Sequence, residues 1–485
     1  MKRIVAMLTV LVLLMTLCSC GTGGTSVEAD PSVEGYFHIP VTGEYGDGIL
    51  LPELNDAHVT VMMSIDWSYL ESNNNPEDPF AQYHATLLWR EAYAAQQGDV
   101  EIVTISEEQM TDYLATQTAS GSAPDIIPAN NMTYPQWNAS GLTQSIEKYA
   151  GHLELNAKNP YNPEEDLYNL SLMENHYQWG GESHGAVTLA EPDRVFTLYN
   201  KTKFEQAGQA TPMDLWKKGE WNWTNFIKTA KAMTTDTDYG FTGWGLFPYN
   251  APYPMAKLDE EGKVSLAIDD TRYMRYMTEV YNAYQTDKIA RCDWALQEWA
   301  TLFPAGTDAM VFSTKARFQQ IVNKARRMEG DEFGIAPVPV FDPAGETQAI
   351  ADADLWAYSI SSAAKNPIGA ATYIRLETLV SRNVQSKLAG TTWYDNNLTD
   401  DEKAMMEQVK NDPVSIDIII GIGNCYLGIV DASIVPAMYY VATQESVQAI
   451  FDAQRNALQA EFDEFNQMVE ETAAELAAKQ EAAAE

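Results

Sequence analysis

Apolar and polar positions change their period repeatedly after residue 57. Val59 to Ile65 is an apolar strand run. Asp78-Pro79 can cap and open a helix in which Phe80, Tyr83, Leu87 and Leu88 share a face, with Gly98 placed to end it. Val100 to Ile105 alternates as a strand does. Ser106 and Gln109 offer a capping box to a helix carrying Met110, Tyr113 and Leu114. Gly121 stops that helix, and Ala123 to Ile127 reads as a third strand. Strand, helix, strand, helix, strand predicts an α/β chain that starts a doubly wound sheet. Such sheets bind ligands outside the carboxyl ends of their strands. The first strand delivers Asp66, Trp67 and Ser68 there, and the third delivers Asn130 and Asn131. Asp66 and Trp67 read equally as a capping aspartate and a partly buried core tryptophan.

The pattern continues with a hairpin at His176 to Gly185 and an extended run from Ala186 to Tyr199. Val195 to Leu198 has strand chemistry, and a short helix follows that Gly208 can stop. After Pro212, Asn222 is an N-cap for a helix with Phe226, Ala230 and Met233 on one face. Tyr239 to Phe241 reads as a strand, and Thr271 to Tyr284 as a helix. From Gln444 the chain is helical, with Phe451, Leu458, Phe462, Phe465, Val469 and Leu476 spaced along one side. That helix suits packing on its own domain better than a coiled coil, because sustained charge pairing beside the stripe is absent.

Composition narrows the function. A chain of 485 residues with 25 Tyr, 15 Phe and 12 Trp can bury large cores and still expose aromatics. Its formal charge of −37 opposes nucleic-acid backbones and excludes them as partners; a solvated acidic surface keeps an exported protein soluble.

Residues 1–20 read as an export leader. Lys2 and Arg3 form its basic start, and Ile4 to Leu17 is apolar but too short to span a membrane. Leu17-Cys18-Ser19-Cys20-Gly21 resembles a bacterial lipobox cleaved before Cys20, which would carry the lipid, palmitate included, and fix the chain to the extracellular face of the cell membrane. Residues 21–56 follow as a flexible tether and polar lead-in. Cys292 and Cys425 either pair or remain small buried thiols, and no cysteine or histidine cluster suggests a metal or other cofactor.

The ordered elements Tyr199-Asn200-Lys201, Gly208, Pro212, Trp221 and Trp223-Thr224 resemble the YNK…aG…P…W…WtW block of the family 1 extracellular solute-binding proteins. Asn225 stands where that family usually has an acid. Gly121 to Ile126, Phe303 to Phe312 and Ala363 to Pro367 also resemble family segments, in family order. The resemblance implies a type II periplasmic-binding-protein-like fold with two doubly wound lobes, a hinge and a cleft. It places lobe 1 at 57–190 with a return at about 338–385, and lobe 2 at 191–337 with about 390–445. The C-terminal helix then takes 446–485, and Thr188 to Pro192 is the expected hinge. It implies a monomeric, lipid-anchored substrate-binding component of an ABC importer, without catalysis, working with a membrane permease.

Two chemistries compete with capture. Gly181-Glu182-Ser183-His184-Gly185 satisfies G-x-S-x-G, but lacks the apolar strand before it and the helix after it that a nucleophile elbow needs. A surface glycan hydrolase or lyase would use two carboxylates, and nothing singles out a pair. Asp236-Thr237-Asp238 lacks the rest of a calcium loop and reads as a turn. A sugar suits the chain's aromatics and neutral polar groups, since its C–H faces stack and its hydroxyls bond. A peptide or another polar solute is the alternative ligand. The resemblance, which extends to maltodextrin binders, makes Tyr199 a stacking aromatic. Trp244 follows a strand, Trp356 lies in Asp352 to Tyr358, Trp393 is at a loop tip, and Lys315 and Arg317 follow the strand that ends Phe303 to Phe312. These tryptophans also read as core residues, because large aromatics are buried on average.

Overall fold

The computed structural model describes residues 28–29, 36–40, 48–52, 58–63, 99–130, 133–188, 194–242, 248, 251–259, 261–291, 303, 305–314, 331–341, 349–350, 356–388, 397–409, 414–415, 417–439, 441 and 445–484. Two five-stranded sheets organise them. The first starts with β1 (His58–Met63), β2 (Asp99–Thr104), β3 (Ile126–Asn130) and β4 (Thr143–Gln144). The second holds β5 (Val195–Asn200), β6 (Tyr239–Thr242), β7 (Ala290–Arg291), β8 (Asp308–Thr314) and β9 (Phe333–Pro337). Then β10 (Trp356–Ser361) returns to the first. The orders are β2-β1-β3-β10-β4 and β7-β6-β8-β5-β9.

Each sheet has a parallel half and one internal strand that runs against it. β1 is parallel to β2 and β3, whereas β10 is antiparallel to β3 and β4. β6 is parallel to β7 and β8, whereas β5 runs antiparallel between β8 and β9. Both reversed strands are entered from the opposite lobe, which explains their direction.

The helices used below are α1 (Glu107–Ala119), α2 (Tyr134–Ala139), α3 (Leu170–His176), α4 (Lys201–Gln206), α5 (Pro212–Lys217), α6 (Trp223–Met233), α7 (Thr271–Tyr281), α8 (Pro367–Leu388), α9 (Asp400–Val409) and α10 (Val447–Ala484). Two cores result. Val59, Val61, Leu114, Ile126, Trp137 and Ile374 belong to the first, and Leu198, Phe226, Phe241, Phe312, Tyr273 and Phe451 to the second. β1, β3 and β5 bury residues on both faces, as strands covered by helices must.

Several local expectations are met by visible causes. The Asn200 and Asn222 side chains accept the Lys203 and Asn225 backbone N–H groups and start α4 and α6. Gly208 takes φ 63° after α4, a left-handed turn that suits glycine. Asn366 accepts from Gly369 N at the start of α8, and Pro367 supplies its first residue.

Other details differ. Ser106 precedes α1 but gives its hydroxyl to the Gln109 side chain at 3.1 Å, so no capping box forms. The third strand is Ile126–Asn130, a few residues later than expected, with Asp125 instead accepting from Thr60 N and Asn366 N. The lead-in contains a three-stranded antiparallel sheet of Glu28–Ala29, Tyr36–Pro40 and Gly48–Pro52. The chain rejoins the first sheet only at Trp356, because Val338 and Phe341 still pack on the second core. The leader, Cys20, Cys292 and the helix expected at 78–98 lie outside the described residues. Cys425 is buried, which pushes its thiol up to about 12.

Candidate functional site at the carboxyl strand ends

The chain changes sheet between Thr188 and Arg194, between Phe341 and Trp356, and between Leu388 and Asn397. Register ties the first two crossings to one edge of each sheet. Val195, where the chain enters the second lobe, pairs with Thr314, the carboxyl end of β8. Pro337, near its exit, pairs with Phe196. Trp356, at re-entry to the first lobe, pairs with Asn130, the carboxyl end of β3. The carboxyl edges of both sheets therefore border these two crossings, where a doubly wound fold receives ligands.

Most expected site residues map to that border by sequence position. Asp66 and Trp67 follow the end of β1, Asn131 follows β3, Trp244 follows β6, Lys315 follows β8, and Trp393 falls in the last crossing. All six lie outside the described residues. Trp356 occupies the register position opposite Asn130. Asn130 is buried, and its side-chain oxygen accepts from the Thr133 N–H at 3.0 Å, which shapes the turn into α2. Arg194 was not anticipated. It is a buried cation at the second-lobe end of the first crossing, and its only sequence signal is its place just before the Val195 strand.

Tyr199 needs correction. It stands four positions beyond Val195, about 13 Å along the strand, and pairs with Met310 and Gly334 rather than at the carboxyl edge. It is 1% exposed and meets Phe204 edge-on at 5.7 Å. A Cβ on Gly334 would lie 2.5 Å from its hydroxyl oxygen, so only glycine lets the ring lie there. Burial first, then the Glu402 carboxylate, holds the phenol proton far more tightly than usual. Tyr199 is a core residue of the second lobe. Trp221 and Trp223 are buried too, and the Trp221 indole donates to the Pro337 carbonyl at 2.7 Å.

The G-x-S-x-G segment forms the second strand of a hairpin, Gln178–Trp179 with Glu182–Ser183, and its backbone continues extended to the Ala186–Tyr358 bridge. Ser183 Oγ donates to the Gly185 carbonyl at 3.4 Å, and His184 Nδ1 lies 2.9 Å from Thr143 Oγ1. The Thr143 hydroxyl has one proton, which it gives to Asn138 Oδ1, so the imidazole donates from Nδ1. Burial holds that imidazole down to about 4, leaving it neutral. The histidine serves this structural chain rather than the serine. Among the described residues, no group of three or more His, Cys, Asp or Glu side chains is placed to hold a metal ion.

Residues 81–376, more than half of the chain, match the family model described as bacterial extracellular solute-binding protein. The chain belongs to that family. Solved structures share the solute-binding fold at low identity. The galacto-N-biose-/lacto-N-biose I-binding protein of Bifidobacterium longum, in complex with lacto-N-biose, is 15% identical with a TM-score of 0.58, over 84% of this chain and 98% of that one. The GacH receptor of Streptomyces glaucescens, studied with acarbose, is 16% identical with a TM-score of 0.54, over 85% and 98%. UgpB of Mycobacterium tuberculosis, in complex with glycerophosphocholine, is 14% identical with a TM-score of 0.57, over 84% and 99%. No functionally curated protein matches the sequence.

Proposed function

We propose that this solute-binding protein captures a mono- or oligosaccharide between its lobes and delivers it to an ABC-type permease. Lipid on Cys20 holds it at the extracellular face of the membrane, and it works as a monomer without altering the ligand. One observation carries the ligand class. Trp67, Trp244 and Trp393 follow a carboxyl strand end or fall in a crossing, and Trp356 opens β10 beside the carboxyl end of β3, interleaved with Asp66, Asn130, Asn131, Lys315 and Arg194. Flat aromatics alternating with polar groups suit the C–H faces and hydroxyls of sugars. The lacto-N-biose and acarbose complexes of the same fold support this reading. The glycerophosphocholine complex supports a second one, in which Lys315 and Arg194 bind a phosphate-bearing polar solute.

Protein lacking residues 1–20 tests both readings. Thermal unfolding and tryptophan fluorescence are followed with maltotetraose, lacto-N-biose and glycerophosphocholine, with the ligand analysed afterwards. A ligand at a hundred times its Kd stabilises by about 2.7 kcal/mol. Recovery of an unaltered sugar supports capture, whereas turnover sinks it. Trp356→Ala is expected to weaken sugar binding by about 1–3 kcal/mol with the fold intact. Unchanged affinity removes Trp356 from the site.

A further inference from the structure

The last helix leaves its own lobe. α10 packs along the second core through Phe451, Leu458, Phe462, Phe465 and Val469. Asn466 accepts from Val264 N at 2.8 Å, and Glu470 pairs with Lys263 at 2.6 Å, fixing the helix to that lobe. It also reaches the first lobe. The Thr472 hydroxyl donates to the Ala139 carbonyl at the end of α2, 2.6 Å away. Ser140 Oγ stands 2.7 Å from Met468 Sδ. Trp179, on the hairpin before the first crossing, meets Phe465 edge-on at 6.3 Å. It also lies over Gly262, in the second lobe, where an added Cβ would come within 2.9 Å of the indole. Ala139 is buried as part of the second lobe's core although its helix belongs to the first.

The first-lobe side of this contact is stiff. The chain from Asn138 through Thr143 to His184 joins α2 to the hairpin that carries Trp179. The Ser183 N–H adds a bond to Glu147 at 2.9 Å. The contact is also displaced from the crossings. α2 starts after the carboxyl end of β3 and leads to β4, which pairs with Ile360, itself opposite the amino end of β3. Its end therefore sits away from the edge where the crossings enter. Two bodies joined at that edge cannot rotate against each other without sliding or parting a contact so placed.

We propose that α10 is a strap between the lobes, a non-covalent link whose strength sets the balance between open and closed forms. This rests on the capture reading above. One aromatic pair, one hydrogen bond and one sulfur contact bias such a balance and still yield to a ligand that prefers the other form.

The test places spin labels, carried by unnatural ketone side chains, at the exposed positions 174 on α3 and 228 on α6 of the full chain. Lobe separation is measured without ligand in wild type, Trp179→Ala, Thr472→Val and Glu470→Gln. The first two variants should shift the ratio of separations by roughly three- to tenfold. Glu470→Gln loosens the helix only within the second lobe and should leave the ratio unchanged. Identical distributions in Trp179→Ala and Thr472→Val overturn the strap, as does an equal shift in Glu470→Gln. Titration with lacto-N-biose then separates the two readings. Failure to bind counts against sugar capture and leaves the ligand-free distances standing as the test of the strap.

Discussion

The second lobe is rich in core aromatics and side-chain caps, and the first leans more on aliphatic packing with fewer caps. Phe226, Phe241 and Phe312 meet with centroids 4.4–5.3 Å apart in the second lobe. Asn200, Thr211, Asn222 and Asp270 each accept a backbone N–H at the start of α4, α5, α6 and α7. In the first lobe, Val59, Met62, Ile126 and Ile127 fill the sheet, and α1 and α2 have no side-chain cap bond. Buried acid–base groups differ as well. His184 in the first lobe is held neutral, while burial pushes Asp417 in the second up to about 7, against backbone N–H donors from Met255, Ile419 and Ala256. The contrast explains why the most recognisable sequence block lies at Val195 to Met233. Its asparagines, tryptophans and glycine cap and fill the second lobe, so the block that identifies the family is built from scaffold residues.

The largest expected effect tests Tyr199 as scaffold. Tyr199→Ala should cost about 3–5 kcal/mol in denaturant unfolding, the usual range for truncating a buried aromatic. The folded fraction should bind ligand as wild type does. Intact stability with lost affinity would return Tyr199 to the cleft.

A smaller effect should distinguish the lobes by pH. The unfolded chain protonates His184 near 6.5, whereas the folded chain does so near 4. The native state thus binds fewer protons between those values, and its stability falls as the pH drops through them, by about 3 kcal/mol at most. Asp417 has the opposite sign. Its folded pKa is raised, so its contribution is present below about 4 and fades as the pH rises toward 7. Melting curves from pH 4 to 7 should lose their acid-side fall in His184→Asn and their neutral-side fall in Asp417→Asn. A wild-type slope in either variant breaks that part of the comparison.

The smallest effect compares caps. Asn222→Ala should cost about 1 kcal/mol, whereas Ser106→Ala should cost no more than a few tenths, since Ser106 caps no backbone group. Equal costs in chemical unfolding would show that the two helix starts do not differ.

Periodicity and caps made much of the fold legible from the chain alone. The alternating strands, the stops at Gly121 and Gly208, the starts at Asn222 and Pro367 and the apolar stripe of α10 are local signals, because a residue's own backbone and near neighbours decide them. The candidate site was read as a list of strand ends, from the rule that such sheets take ligands there. Tyr199 came from the family resemblance instead, and the local pattern could not check it, because period two says that a side chain alternates but not which end of a strand borders the crossing. That was settled by β5 running against β8, with Val195 rather than Tyr199 at the carboxyl edge. Tertiary pairing likewise brought Ala139 into the second core and carried α10 onto the first lobe. Neither contact leaves a local mark, since its partners are hundreds of residues apart and meet only after both sheets have formed.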